Sequence, residues 1–464
     1  MPHDGFLGGV VEGFYGPPWT SAQRHLLFDW MRAWGLNTYF YAPKDDLKHR
    51  ALWREDYDAA ELQGMRALIR AAQDRGLTFI YGLSPGLDVG YARASERERI
   101  QGRFAQLLQA GCDHFALLFD DLPGALEAED QRRFASFADA QATLANAVFA
   151  WLRQQRPHAR FLFCPTPYCD RMTRWQLGGA GYLEAIGARL DPAIDVLWTG
   201  PEIVSREIPV ASILALQQQI RRPPVLWDNL HANDYDGRRL FCGPYAGRAR
   251  ELVDHVRGIL TNPNTEFPVN YVPLRTLAAF LTGRGVWDPR AAYLEAIREW
   301  LAGHETVRGS IAFEDLVLLG DVYYLPHQTG PEAERLAALI ERLVHEDPPA
   351  WGDAFDQFQQ INRRVQSLFE RLTELRQREL FYAWSRRAWE LKEELQLFEL
   401  WLTAKRADPG RPEGYPCESH LPGTYRGGFV PRLQQLLVMT GSGRFRAARP
   451  GAAETTTDDT PPAP

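Results

Sequence analysis

The sequence has no surplus of positive charge. Fifty-two Lys and Arg stand against 59 Asp and Glu, a net charge of −7. That balance argues against a nucleic-acid or anionic-membrane partner and suits a neutral substrate. Cysteines are few: Cys112, Cys164, Cys169, Cys242 and Cys417. An odd, scattered set without metal-ligand spacing reads as reduced thiols, and neither a disulfide framework nor a metal or other cofactor is expected. No apolar run is long enough to span a bilayer, and the opening MPHDGFLGGVVEG lacks a basic segment followed by an apolar one. No secretory signal is therefore read, and a cytoplasmic location is expected.

What is present is a globular composition, 45% hydrophobic and 24% charged, on 464 residues. That length exceeds one ordinary core and points to two domains. Short apolar, β-rich runs recur: FLGGVVEG from Phe6, LNTYFYAP from Leu36, TFIYGLSP from Thr78, HFALLFDD from His114, RFLFCPT from Arg160, DVLWTGP from Asp195, PVLWDN from Pro224 and GILTNP from Gly258. The stretches between them mostly carry helical patterns. Continuous apolar strands alternating with helices imply a parallel sheet covered on both faces, and eight such units predict an α/β fold, a (β/α)₈ TIM barrel, over 1–285. A connecting helix is expected over 286–304 and an α-helical bundle domain over 305–445, where Val365, Leu368, Phe369, Leu372 and Leu375 form one stripe. The Ala-, Thr- and Pro-rich residues 446–464 read as a disordered tail.

Each run ends in polar or turn-forming residues, which a barrel would gather on one face. The sharpest end is FALLFDDLPG. Adjacent Asp120 and Asp121 cannot both point inward from a regular strand, but a turn at Leu122-Pro123-Gly124 would let both reach one pocket. Two carboxyls so close disfavour double ionisation, so one should hold its proton, as glycosidic cleavage requires. A helix N-cap, or a Mg²⁺ site that lacks a third carboxylate nearby, accounts for the same pair. In VLWDNLHANDYDGRRL, Asn229, Asp234, Tyr235 and Asp236 could bind vicinal hydroxyls or an acetamide. Trp227 could face a sugar ring or simply fill the core. Lys44, at the end of another run, could donate to sugar hydroxyls, whereas Lys48, His49 and Arg50 read as a solvated charged loop. Gly13 permits a close backbone approach or a plain turn.

Together, GVVEGFYGPPW, NTYFYAPKDD, SPGLD, FALLFDD, FLFCPTPYC, VLWTGP, WDNLHANDYD and LTNPN, in this order over residues 6–285, closely resemble glycoside hydrolase family 84, especially its animal-type O-GlcNAcases. The resemblance implies retaining, substrate-assisted hydrolysis, in which the 2-acetamido oxygen of the substrate attacks the anomeric carbon and forms an oxazoline. By motif, Asp120 would orient the acetamide N–H, and Asp121 would be general acid and then base. Tyr168, Asn229, Asp234, Asn262, Lys44 and the Gly13 carbonyl would lie in the sugar pocket, with Trp227 and Tyr235 as walls and Asp234 on the far hydroxyls. The segment LVLLGDVYYLPHQTGPEAERL more loosely resembles the family's stalk. The chain opens directly on barrel segments and lacks the long insertion and acetyltransferase-like domain of the animal enzymes, so no acetyltransferase activity is expected.

The resemblance implies an exo-acting β-N-acetylglucosaminidase acting on a GlcNAc-bearing glycoprotein or oligosaccharide. A hyaluronidase-like endo-hexosaminidase would need an open cleft, which Asp234 on the distal hydroxyls would close. A catalytically inactive sugar-binding protein would have no use for both aspartates. The aromatic-rich helices, with Phe381, Trp384, Trp389 and Trp401, offer a surface for a homodimer unless these side chains pack internally.

Overall fold

The computed structural model describes residues 2–122, 126–409, 428–440 and 444–449. All eight apolar runs form parallel strands, closed into one barrel in sequence order: β1 (Leu7–Glu12), β2 (Thr38–Tyr41), β3 (Thr78–Leu83), β4 (His114–Leu118), β5 (Phe161–Cys164), β6 (Asp195–Trp198), β7 (Val225–Asp228) and β8 (Gly258–Thr261). β8 returns to β1, pairing Leu260 with Gly9. Between the strands run α1 (Ser21–Trp34), α2 (Ala59–Gln73), α3 (Ala94–Gln109), α4 (Ala128–Gln131), α5 (Phe137–Gln155), α6 (Asp170–Arg174), α7 (Tyr182–Arg189) and α8 (Val210–Ile220), and α9 (Tyr271–Thr282) follows β8. The β7–β8 connection carries only a 3₁₀ turn, Arg250–His255.

The sequence enforces this arrangement locally. Side chains alternate along each strand. Val11, Phe40, Ile80, Leu118, Leu162, Leu197, Val225 and Leu260 form the barrel interior, while Val10, Tyr39, Phe79, Tyr81, Phe115 and Leu117 pack with the surrounding helices. Each fully buried large apolar side chain contributes about 1.5–3 kcal/mol. Helix α1 starts at a capping box, Thr20 with Gln23, and stops at Gly35 in the left-handed region. Gly9 is required where β1 meets β2, because a Cβ there would lie 1.9 Å from the Thr38 carbonyl oxygen.

Beyond the barrel come α10 (Pro289–Trp300), the two-residue pair β9 (Glu305–Thr306) and β10 (Gly309–Ser310), then α11 (Phe313–Val322), α12 (Pro331–His345), α13 (Ala354–Thr373), α14 (Arg378–Ala407) and α15 (Phe429–Gln434). A final hairpin pairs β11 (Leu437–Met439) with β12 (Phe445–Ala447). The region is thus helical with two short hairpins. Arg446 and Ala447 belong to a strand, so a tail cannot begin at 446; the rest of that expectation, from residue 450, lies outside the described residues, as does Cys417.

One apolar core runs without a break from the barrel through α10 and α11 into the first half of α14, where it includes Leu380, Ala383, Trp384 and Ala388. A second holds α12, much of α13 and the second half of α14. Aromatic contacts mark the junction: Tyr271 stacks on Trp300 at 6.2 Å, and Trp300 lies 6.1 Å from Trp384. Three of the four aromatics considered for a dimer surface are therefore engaged internally. Trp384 and Trp401 are buried and Phe381 packs on the first core, leaving Trp389 half exposed.

Candidate active site

The C-terminal strand ends converge on a cavity of about 330 Å³. Asp120, Asp121, Gly13, Lys44, Tyr168, Trp227, Asn229, Asp234, Tyr235 and Asn262 all line it. Their spread over six strand ends and the loops beyond is what the barrel brings together.

The aspartate pair lies just past β4. Phe119 N–H still donates to the Cys164 carbonyl at 3.0 Å, and the chain then turns through Asp121 at φ 54°. This left-handed residue removes the alternation that would aim the two carboxyls apart; aspartate tolerates such a φ better than most side chains. Pro123 and Gly124 lie outside the described residues. Neither aspartate caps a helix, since α4 begins at Ala128 with Glu127 at its N-cap. Among the described residues no three His, Cys, Asp or Glu side chains cluster to hold a metal ion.

The two carboxyls sit in unlike surroundings. Asp120 is buried. Its Oδ2 accepts from Lys44 Nζ at 2.5 Å and has the Arg50 guanidinium 4.0 Å away. Its Oδ1 is buried and has no partner. Burial pushes this carboxyl up, but Lys44 and then Arg50 more than offset it, and its pKa ends below the ordinary carboxylate range. Asp120 is thus held ionised despite its burial. Asp121 is exposed at the mouth, where its oxygens accept from Tyr168 OH at 2.9 Å and Tyr15 OH at 3.2 Å.

The opposite wall is built from β7, β8 and the loop after β7. Trp227 Nε1–H donates to Asn229 Oδ1 at 3.1 Å, and Asn262 Nδ2 donates to the same oxygen at 3.0 Å. Asn229 Nδ2 donates to the Ile203 carbonyl at 2.8 Å, which fixes the amide's orientation. Asn262 Oδ1 is buried without a partner. Trp227 both joins the barrel interior and forms the cavity wall. Gly13 makes room for it, since a Cβ there would lie 2.1 Å from Trp227 Cζ2. Asp234 accepts the Tyr15 backbone N–H at 2.9 Å, and burial raises its carboxyl.

Two residues of the charged loop depart from the sequence reading. His49 and Arg50 are buried rather than solvated. His49 Nδ1–H donates to the Gly82 carbonyl at 2.8 Å, and burial pushes its pKa down to about 4, so it is neutral. Arg50 donates to the Asp121 carbonyl at 3.1 Å, the Asp120 carbonyl at 3.5 Å and Ser84 Oγ at 3.0 Å. Only Lys48 fits a charged surface loop, paired with Glu61 at 2.6 Å. Tyr15, passed over in the sequence, bridges the two walls through its hydroxyl and its amide. Lys44, expected to reach sugar hydroxyls, is engaged by Asp120. The strand-end acids Glu12 and Asp228 do not line the cavity: Arg24 and Tyr39 saturate the first, Arg248 and Tyr245 the second.

A (β/α)₈ barrel whose mouth closes round a carboxylate pair, one ionised and buried and one at the rim, has the architecture of a glycoside hydrolase. Residues 8–314 match the family model for beta-N-acetylglucosaminidase, and the chain belongs to that family. It is 49% identical over 275 residues to the protein O-GlcNAcases of Rattus norvegicus and Mus musculus, a match covering 59% of this chain and 30% of each relative. The matched segment is thus less than a third of those relatives' length. Among solved structures, a mutant of the Thermobaculum terrenum O-GlcNAc hydrolase superposes with a TM-score of 0.73 at 29% identity, covering 86% of this chain and 83% of that one.

Proposed function

We propose that this chain is a retaining, exo-acting β-N-acetylglucosaminidase that removes terminal β-linked GlcNAc from a glycoconjugate, with the substrate's acetamide as nucleophile. The observation that carries this reading is the state of Asp120. One oxygen is neutralised by Lys44, and the other is buried without a partner in the cavity wall. A lone buried acceptor on an ionised carboxylate costs about 1–3 kcal/mol or more unless a ligand donates to it. An acetamide N–H is such a donor. Held there, its carbonyl oxygen is directed at C1, and the positive charge that develops on the acetamide meets a fixed negative one.

Asp121 then serves as general acid and base. It stands at the rim where the leaving oxygen and the incoming water pass. Tyr168 and Tyr15 hold its two oxygens in place. Asp234, Asn229 and Asn262 take the sugar's hydroxyls, and Gly13, Trp227 and Tyr235 shape the pocket around the ring. Asp234 closes the pocket behind the sugar, which favours exo over endo action. The relatives' names suggest Ser- or Thr-linked GlcNAc on proteins as the substrate, and the reading includes a cytoplasmic location. No described helix is long and apolar enough to cross a membrane. A catalytic barrel over 1–285, followed by a connecting helix and a stalk-like helical domain over 305–445, belongs to the same reading, as does a homodimer through α14, whose exposed Tyr382 and Trp389 are its remaining support.

The test is turnover of 4-methylumbelliferyl β-N-acetylglucosaminide and its N-fluoroacetyl series. Rates should fall progressively as fluorine weakens the nucleophilic oxygen, and a GlcNAc thiazoline should inhibit well below substrate concentrations. No turnover across pH 4–9 rejects the enzyme; rates indifferent to fluorination reject substrate assistance.

A further inference from the structure

Arg387 lies on α14, outside the barrel, yet its side chain is spent on the active-site loop. It is buried. Its guanidinium donates to three successive loop carbonyls, Gly237 at 2.9 Å, Arg238 at 3.3 Å and Arg239 at 3.4 Å. It also pairs with Glu266 Oε1. The other Glu266 oxygen accepts from Asn233 Nδ2 at 2.7 Å and from Thr265 Oγ1 at 2.9 Å. Asn233 is fully buried; its Nδ2 also donates to the Arg239 carbonyl at 2.8 Å, and its Oδ1 accepts the Thr265 N–H at 2.8 Å. The next residue is Asp234.

The chain of contacts is therefore guanidinium, carboxylate, amide, then the backbone that carries Asp234 and Tyr235. The loop from Asn229 to Phe241 forms no regular secondary structure, so its shape rests on side-chain partners of this kind. Arg387 reaches in from α14 with both a charge and several donors. A planar guanidinium sets the angles of all its acceptors at once, which an ammonium does not do.

We infer that Arg387 is a positioning residue of the sugar pocket: through Glu266 and Asn233 it holds the loop that presents Asp234, so that a helix of the C-terminal region helps set recognition of the distal sugar hydroxyls. The inference rests on the proposed role of Asp234 for its consequence in catalysis, but not for the bracing itself.

The experiment uses the full chain with Arg387→Met, Glu266→Gln and, as a control on the exposed face of the same helix, Arg386→Met. Hydrogen exchange reads the bracing directly. In Arg387→Met, amides of residues 233–241 should exchange roughly tenfold faster or more, while those of 44–50 stay unchanged; Glu266→Gln should give the same pattern more weakly, and Arg386→Met none. Kinetics on nitrophenyl GlcNAc and its 4-deoxy analogue read the consequence. The wild-type preference for the 4-hydroxyl should shrink by roughly tenfold in Arg387→Met, mainly through KM, with the response to N-fluoroacetylation unaltered. Unchanged exchange at 233–241 with an unchanged 4-hydroxyl preference overturns the inference, as does a uniform loss of protection over the whole barrel, the mark of a merely structural role. Should Arg387→Met fail to fold, Glu266→Gln decides by the same two readouts. Faster exchange at 233–241 in a protein whose wild type shows no 4-hydroxyl preference upholds the bracing and rejects the hydroxyl-binding role of Asp234.

Discussion

The ammonium of Lys44 sits 2.5 Å from one carboxylate oxygen of Asp120 and leaves the other oxygen bare. The lysine therefore does more than offset a charge. It selects which oxygen remains available and keeps the group ionised in a buried place.

Lys44→Met tests that role. Burial alone would raise the Asp120 carboxyl, and removing the nearer cation lets burial prevail. The acid limb of the kcat/KM profile should move to higher pH, and activity at pH 7 should fall by roughly 10–100-fold. Stability follows the same sign. A carboxyl whose folded pKa lies below its unfolded value of about 3.9 stabilises the fold above that pH and loses the contribution as pH falls through the folded value. Melting temperatures between pH 2.5 and 7 should show this dependence in the wild type and a weaker one in the variant.

The aspartates should separate by leaving group. Asp121→Ala should retain much of kcat/KM on nitrophenyl glycosides, whose leaving group needs little protonation, and lose about 10²–10⁴-fold on alkyl glycosides. Its kcat should fall, because the base for the second step is gone, and azide should restore it with a β-glycosyl azide as product. Asp120→Ala should lose kcat/KM for good and poor leaving groups alike, without azide rescue. A reversed pattern on one aryl glycoside series would exchange the two roles.

Gly13→Ala addresses the pocket wall. A methyl 2.1 Å from Trp227 Cζ2 must push the indole aside. Overpacking of this kind costs about 1–3 kcal/mol. KM should rise and the melting temperature fall; an unchanged KM would show that the indole does not shape the sugar site.

Much of this is legible in the sequence alone. The eight strands announce themselves as short apolar runs because a barrel strand is buried on both faces, and their polar ends mark the mouth because nothing else is left there for polar groups to do. Arg50 and His49 were harder. In YAPKDDLKHR they look like any charged loop, and only the approach of the two aspartates just past β4 gives Arg50 carbonyls to hold. Tyr15 was hidden for a similar reason: its partners, Asp121 and Asp234, are over a hundred residues away. Glu12 and Asp228 show the converse, strand-end acids whose arginine partners lie further along the chain and turn them into scaffold. The Arg387 contacts had no local signal at all, since a buried arginine in an amphipathic helix reads as an interruption of its apolar face.

The junction of Tyr271, Trp300 and Trp384 bears on how the molecule comes apart. Its rings belong to α9, α10 and α14 and share one apolar core with the barrel. A polypeptide cut after residue 285 would leave the barrel's share of that core facing water. Such a fragment should be insoluble or sticky when made alone, and the intact chain should melt in a calorimeter with the barrel and the first half of α14 in a single transition, as one cooperative folding unit. The point in the order of elements where strands give way to helices therefore does not coincide with a gap in the apolar core.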